Sequence, residues 1–274
     1  RLVVASQDET VEKEVPVLEP ETTSYPFSFS NDEFAYSVND NFNFEKSSTE
    51  ILSPLSGKVT NGVSSLQTFL AQNPDKIINI TGLYTDEETN NTAFPNLGLA
   101  RANAVKNYFV DNGIPSSQTN TFGKLMADMI PQENTFLGPI TYAIVQGEDN
   151  AGDELMALYD EIKANPVVLY FNSGEAAINL TPEQRQKIAN ISRYLDKGEG
   201  AYCKVVGHTD NTGDRITNIA IGQERADFAM SYLVRNGIAS SKISATSQGP
   251  DAPIAPNETE EGRSKNRRTV VTLK

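Results

Sequence analysis

Two side chains in the last third of the sequence have the types and spacing to hold a zwitterion: Asp210 and, fifteen residues later, Arg225. An arginine grips a carboxylate through two parallel hydrogen bonds, while an aspartate accepts from an ammonium. Each charge-assisted hydrogen bond contributes about 1.5 to 3 kcal/mol, enough together for a small dipolar guest at modest affinity. Arg225 also stands in an awkward place for a charge. Ile221, Phe228 and Tyr232 lie one turn before, one after and two after it on a predicted helix, so its guanidinium leaves an apolar stripe and needs a partner. Two readings stay open from these residues alone. Either Asp210 and Arg225 pair with each other and fasten a loop to the helix, or both present their charges to a ligand.

Other chemistry is poorly served. His208, the single histidine, sits two residues from Asp210 at a strand end, but no Ser or Cys is spaced to complete a triad, so no enzyme is expected. One His and one Cys, without HExxH-type spacing, leave no metal site and no cofactor expected. Cys203 reads as a small buried hydrophobe in a strand. A net charge of −13 opposes nucleic acid and anionic membrane surfaces, which are bound through clustered Lys and Arg. Nowhere do about eighteen apolar residues run together, so no helical membrane span is expected. The chain opens on Arg1 rather than Met, so attachment to a membrane is expected only through an anchor upstream of it.

The elements that position Asp210 and Arg225 are legible. Residues 167–171 form an apolar run of strand length, and Thr181, Pro182 and Gln184 make a helix start: Thr as N-cap, Pro in the first turn, Gln where a capping box needs it. Ile188, Ile191 and Leu195 share one face of that helix. A strand over 202–207, a polar loop over 208–215, a helix over 216–235 closed by Asn236 and Gly237, and strands over 242–247 and 269–273 complete the unit. The order β-α-β-α-β-β predicts an α+β fold with helices packed on one face of a mixed sheet. Gly222, Ala226 and Ala229 are small enough to let the long helix lie close to that sheet.

Shifted by 124 residues, the sequence matches itself. Thr85 and Asp86 fall on Thr209 and Asp210, Gly98 on Gly222, Arg101 and Ala102 on Arg225 and Ala226, and 108–117 on 232–241. A duplicated unit of roughly a hundred residues follows. The expected organisation is an acidic, Pro-dotted linker over 1–25, a divergent first unit over 26–146, a connecting segment with a short helix over 147–165, and a second unit over 166–274. In the first unit Asp86 and Arg101 remain, but Phe94 stands at the position of Asn218, and Leu83 replaces Gly207 in the gapless alignment.

The run Gly207, His208, Thr209, Asp210, Asn211, Thr212, Gly213, followed by Asn218, Arg225, Ala226, Asn236, Gly237, Gly249, Asn257, Gly262, Arg263, Asn266, Arg267 and Arg268, resembles the C-terminal domain of OmpA-like proteins. The resemblance covers about residue 166 to the end, and with the repeat it implies two tandem OmpA-like domains. It implies non-covalent binding of the diaminopimelate residue of the peptidoglycan stem peptide by Asp210 and Arg225. Thr209, Asn218, Asn172 and Arg268 are expected to line the same pocket, and Asp86 and Arg101 are a candidate second site. A periplasmic protein associated with the outer membrane is implied, tethering the envelope to the cell wall. The alternative is a structural protein of an envelope assembly whose OmpA-like fold binds a protein partner instead.

Overall fold

The computed structural model describes residues 21–147, 151–170 and 178–274; Phe171, Asn172 and residues 1–20 of the acidic stretch lie outside the described residues. Aromatic side chains fill the first unit's core. Phe27 and Phe29 of β1 (Phe27–Ser30), which pairs with β2 (Ala35–Val38), meet Phe42 and, from β3 (Phe44–Glu45), Phe44. Helix α1 (Gly57–Gln72) begins where Ser56 accepts from the Val59 N–H, and Val59, Val63, Leu66 and Leu70 recur at helical spacing to face that core. Strand β4 (Lys76–Tyr84) lies between β5 (Thr119–Leu125), parallel to it, and β7 (Ile140–Gln146), antiparallel. Helix α2 (Leu97–Asp111) packs on β4 and β5, and β6 (Thr135–Phe136) pairs with β3. The leading extended residues of this unit thus form their own two-stranded sheet.

The second unit follows helix α3 (Ala151–Ala164). Strand β8 (Val167–Tyr170) leads to α4 (Pro182–Lys197), whose capping box is complete: Gln184 N donates to Thr181 Oγ1 at 3.2 Å, and Thr181 N to Gln184 Oε1 at 2.9 Å. Strand β9 (Cys203–His208), helix α5 (Arg215–Arg235), strand β10 (Ile243–Gly249), the short helix α6 (Glu260–Asn266) and strand β11 (Arg268–Leu273) complete it. The mixed sheet runs β10-β9-β11-β8, with β9 and β10 parallel and β11 antiparallel to both neighbours. Alternation decides which face is covered: Val167, Leu169, Cys203, Val205, Ile243, Val271 and Leu273 bury against Ile188, Ile191, Leu195, Ala226, Ala229 and Leu233 of the helices. Among the described residues no helix is long and apolar enough to cross a membrane.

The repeat carries a one-residue slip. Strand β4 turns Ile78, Ile80 and Gly82 toward its helices where β9 turns Cys203, Val205 and Gly207, a spacing of 125, whereas Gly98, Arg101 and β5 keep the spacing of 124. Gly82, not Leu83, therefore holds the place of Gly207, and the extra residue falls where β4 runs into the following loop.

The two units are joined by more than α3. Ala93 belongs to the second unit's core, and Phe94 packs with Leu99 and Ala100 against Ala189 of α4. Lys106 Nζ reaches both Asp196 oxygens at 2.9 and 2.8 Å, and Asn107 Nδ2 donates to the Gly237 carbonyl at 2.9 Å. The Lys106 side chain is 4% exposed and that of Asp196 19%. Partial solvent at Asp196 tempers the loss, so Lys106→Ala is expected to cost about 1 to 2 kcal/mol. In calorimetry it should split a shared unfolding transition into two.

Candidate ligand pocket

Strand β9 delivers Thr209 and Asp210, both buried, to its C-terminal end. The Asp210 Oδ1 accepts from Thr212 N at 2.8 Å, Gly213 takes a φ of +89°, and Asp214 then caps α5 by accepting from the N–H groups of Ile216 and Thr217. The tight turn brings the helix back over the strand. Close passage follows from glycine on both sides: a Cβ on Gly207 would lie 1.8 Å from the Gly222 carbonyl oxygen. Arg225 thereby reaches the strand end, where its Nη1 donates to the His208 carbonyl at 3.2 Å.

Asp210 and Arg225 meet at one place but are not an ion pair. Asp210 Oδ2 accepts from Arg267 Nη1 at 2.8 Å, and Arg267 Nη2 donates to Glu260 at 2.6 Å. No carboxylate among the described residues pairs with Arg225. Its pKa is pushed down by burial and by the neighbouring Arg267, with Asp210 opposing. Burial acts to raise the Asp210 pKa, but the hydrogen bonds from Arg267 and Thr212 outweigh it and hold the carboxyl below its ordinary value. The bridge that would fasten the loop to the helix is thus not formed between Asp210 and Arg225, and Asp210 is not free for a ligand either, because Arg267 already orients it. A carboxylate offers about four acceptor positions, so an ammonium can share Asp210 with Arg267.

The other expected residues divide. Thr209 lies beside Asp210, its N–H donating to the Gly249 carbonyl and its Oγ1 buried without a hydrogen-bond partner among the described residues. Asn218 is buried and donates to the Thr212 carbonyl at 3.0 Å, so it holds the loop in shape. Arg268 is buried and donates to the Asn266 and Ala252 carbonyls, while Asn266 takes the backbone of Ile254 and Ala255. These side chains fasten the segment between β10 and α6. Asn172 lies outside the described residues. Arg267, not among the expected pocket residues, is the residue that engages Asp210; its place in the Gly262 to Arg268 run is the signal for it in the sequence. A cavity of about 860 Å³ lies elsewhere, between β5 of the first unit and helices α3 and α4. It lacks both Asp210 and Arg225, and the chemistry of opposed charges points to the strand end instead.

His208 is buried, with Nδ1 lacking a hydrogen-bond partner among the described residues, and burial, helped by Arg268, pushes its pKa down to about 4 from an ordinary 6.5. The folded state therefore keeps the ring neutral while the unfolded chain takes up the proton. Stability from this group is complete above about pH 6.5, falls between 6.5 and 4, and levels off below. His208→Gln should remove up to one proton of slope, about 1.4 kcal/mol per pH unit, from urea unfolding across that window. Equal slopes in both proteins would contradict the assignment.

In the first unit the corresponding residues part company. Asp86 is exposed. Arg101 has no exposed surface and is held by Glu88, 2.5 and 3.1 Å from its two Nη atoms, between the rings of Phe44 and Phe136. The geometry thus does not bring Asp86 and Arg101 together as a second open site. The slip at the end of β4 turns Asp86 outward, and Glu88 takes the guanidinium.

The model of the OmpA family matches residues 43–135 and 170–267, together more than half of the chain. The chain belongs to the OmpA family. Among curated members, the "Probable lipoprotein YiaD" of Escherichia coli (strain K12) is 35% identical over 103 residues, which are 38% of this chain and 46% of that protein. The "Peptidoglycan-binding protein ArfA" of Mycobacterium tuberculosis (strain ATCC 25618 / H37Rv) is 30% identical over 120 residues, 44% of this chain and 36% of the relative. The chain thus spans less than half the length of these two OmpA family relatives. The "Peptidoglycan-associated lipoprotein" of Buchnera aphidicola subsp. Baizongia pistaciae (strain Bp) is 26% identical over 163 residues, 60% of this chain and 85% of the relative. Among solved structures, the peptidoglycan-associated lipoprotein from Burkholderia pseudomallei aligns with 39% of this chain and 89% of its own at 24% identity and a TM-score of 0.34.

Proposed function

We propose that the second unit, residues 166–274, binds peptidoglycan non-covalently through the diaminopimelate residue of the stem peptide. The observation that carries this reading is Arg225: a half-buried guanidinium at a strand end, held by one carbonyl and by no carboxylate among the described residues. Its unused donors suit a guest carboxylate, and Asp210, oriented by Arg267 and near enough for its charge to act on Arg225, suits the guest ammonium. The distal end of diaminopimelate carries both groups on one carbon. Relatives named for peptidoglycan binding or association support the choice of ligand. The protein would act without catalysis, as a tether between envelope and wall in the periplasm, associated with the outer membrane. The first unit, residues 26–146, serves as a divergent partner domain, because its arginine is already occupied.

Stem chemistry offers a direct test. Lysine matches diaminopimelate except for the distal carboxylate, so Arg225 would have nothing to grip. Sacculi with diaminopimelate stems should retain the protein in a pulldown, free diaminopimelate should compete, and sacculi with lysine stems should retain far less. Equal retention on both would remove diaminopimelate as the ligand.

A further inference from the structure

The two arginines are anchored alike. Arg101 Nη1 donates to the Leu83 carbonyl at 3.0 Å and Arg225 Nη1 to that of His208, and these are equivalent positions once the slip is counted. Arg101 donates further, from Nε to the Ser48 carbonyl at 3.0 Å and from Nη2 to the Glu45 carbonyl at 3.1 Å, and it meets a carboxylate on its outer side. In the first unit each Glu88 oxygen receives two donors: Oε1 from Arg101 Nη2 and from Ser47 N at 2.9 Å, Oε2 from Arg101 Nη1 and from Thr85 N at 3.0 Å. The Glu88 side chain has no exposed surface. Ser47 adopts a φ of +62°, uncommon for a residue with a Cβ, and in that conformation aims its N–H at the carboxylate. A guanidinium fork and two backbone amides converging on both oxygens make a built carboxylate receptor.

We propose that the first unit is a carboxylate-binding site filled from within, with Glu88 as its tethered ligand. Glu88 comes from the loop after β4, three residues past Thr85, where the second unit has Thr212 and no acidic side chain among the described residues pairs with Arg225. Removing the Glu88 carboxylate leaves a receptor for a free monocarboxylate of the size of formate or acetate. The receptor stands on the first unit's own contacts; only its use as a template for the guest at Arg225 rests on the peptidoglycan reading.

The test uses the full chain. Glu88→Ala in sodium formate, against sodium chloride at equal ionic strength, should show a saturable rise in Tm, about 5 °C at ten times the half-saturating concentration. Wild type, and Glu88→Gln, whose amide still fills the site, should show no such rise. The double variant Glu88→Ala with Arg101→Met should lose the response. If Glu88→Ala does not fold in chloride, its refolding yield in formate reads the same question. A formate-specific gain in Tm or yield supports the proposal; the same behaviour in formate and chloride overturns it. Neither outcome depends on whether wild type binds sacculi, so the two readings fail separately.

Discussion

Arg225→Ala is expected to weaken retention on diaminopimelate sacculi by at least about 30-fold while leaving the protein folded. The binding loss follows from what the substitution leaves behind. A guest carboxylate drawn toward α5 would be stripped of water and meet no fork, and truncating one member of such a pair costs about 2 to 5 kcal/mol. Folding should survive because Arg225 donates only to the His208 carbonyl and gives up no ion pair among the described residues. Lysine at this position keeps the charge but not the planar pair of donors, so Arg225→Lys should fall between wild type and alanine. Sedimentation with sacculi, beside a melting curve for each variant, measures both halves. A folded Arg225→Ala that sediments as wild type does would end the case for this pocket.

The second large effect concerns the place where helix meets strand. Gly207→Val is expected to destabilise the second unit by about 3 kcal/mol or more, beyond an ordinary overpacked core site. A Cβ there would lie 1.8 Å from the Gly222 carbonyl oxygen and 2.6 Å from its carbon, and both atoms are backbone. Neither can rotate aside, so α5 must lift from β9 and open the contacts of Ala226, Ala229 and Leu233 with Cys203 and Val205. Because α5 also carries Arg225, binding should be lost even under conditions where the variant remains folded. The first unit repeats the contact, with a Gly82 Cβ 2.0 Å from the Gly98 carbonyl oxygen, and Gly82→Val should injure it in the same way. Urea midpoints read both, and a midpoint unchanged by either substitution would contradict the close approach.

Local rules made much of the second unit legible. Thr181, Pro182 and Gln184 mark a helix start because capping chemistry is confined to a few neighbouring residues, and the small residues of α5 announce a tight approach to the sheet. Long-range electrostatics left no comparable trace. Arg267 is 57 residues from Asp210, and no periodicity connects the end of a short helix to the mouth of a strand across the sheet. Helix α6 was hidden for a related reason: its seven residues, started by Thr259, are too few to display an apolar stripe. The slip between the repeats is not legible in the sequence because Ile77 and Ile78 are both apolar, so alternation alone does not say which faces the core, and the matching Thr-Asp pairs favour an alignment without a gap. Glu88 follows Asp86 and Glu87, and nothing in the sequence sets it apart from them, although it is the residue that closes on Arg101.

The latch of Lys106 on Asp196, with Ala93 set into the neighbouring core, bears on mechanics. Were the halves joined by α3 alone, tension between wall and envelope would first stretch a pliant connector. With the latch closed, a load on the proposed site at Arg225 would pass through α5 and across the shared seam into the first unit, so the reach of such a tether would be a constant of its architecture rather than a fluctuating length.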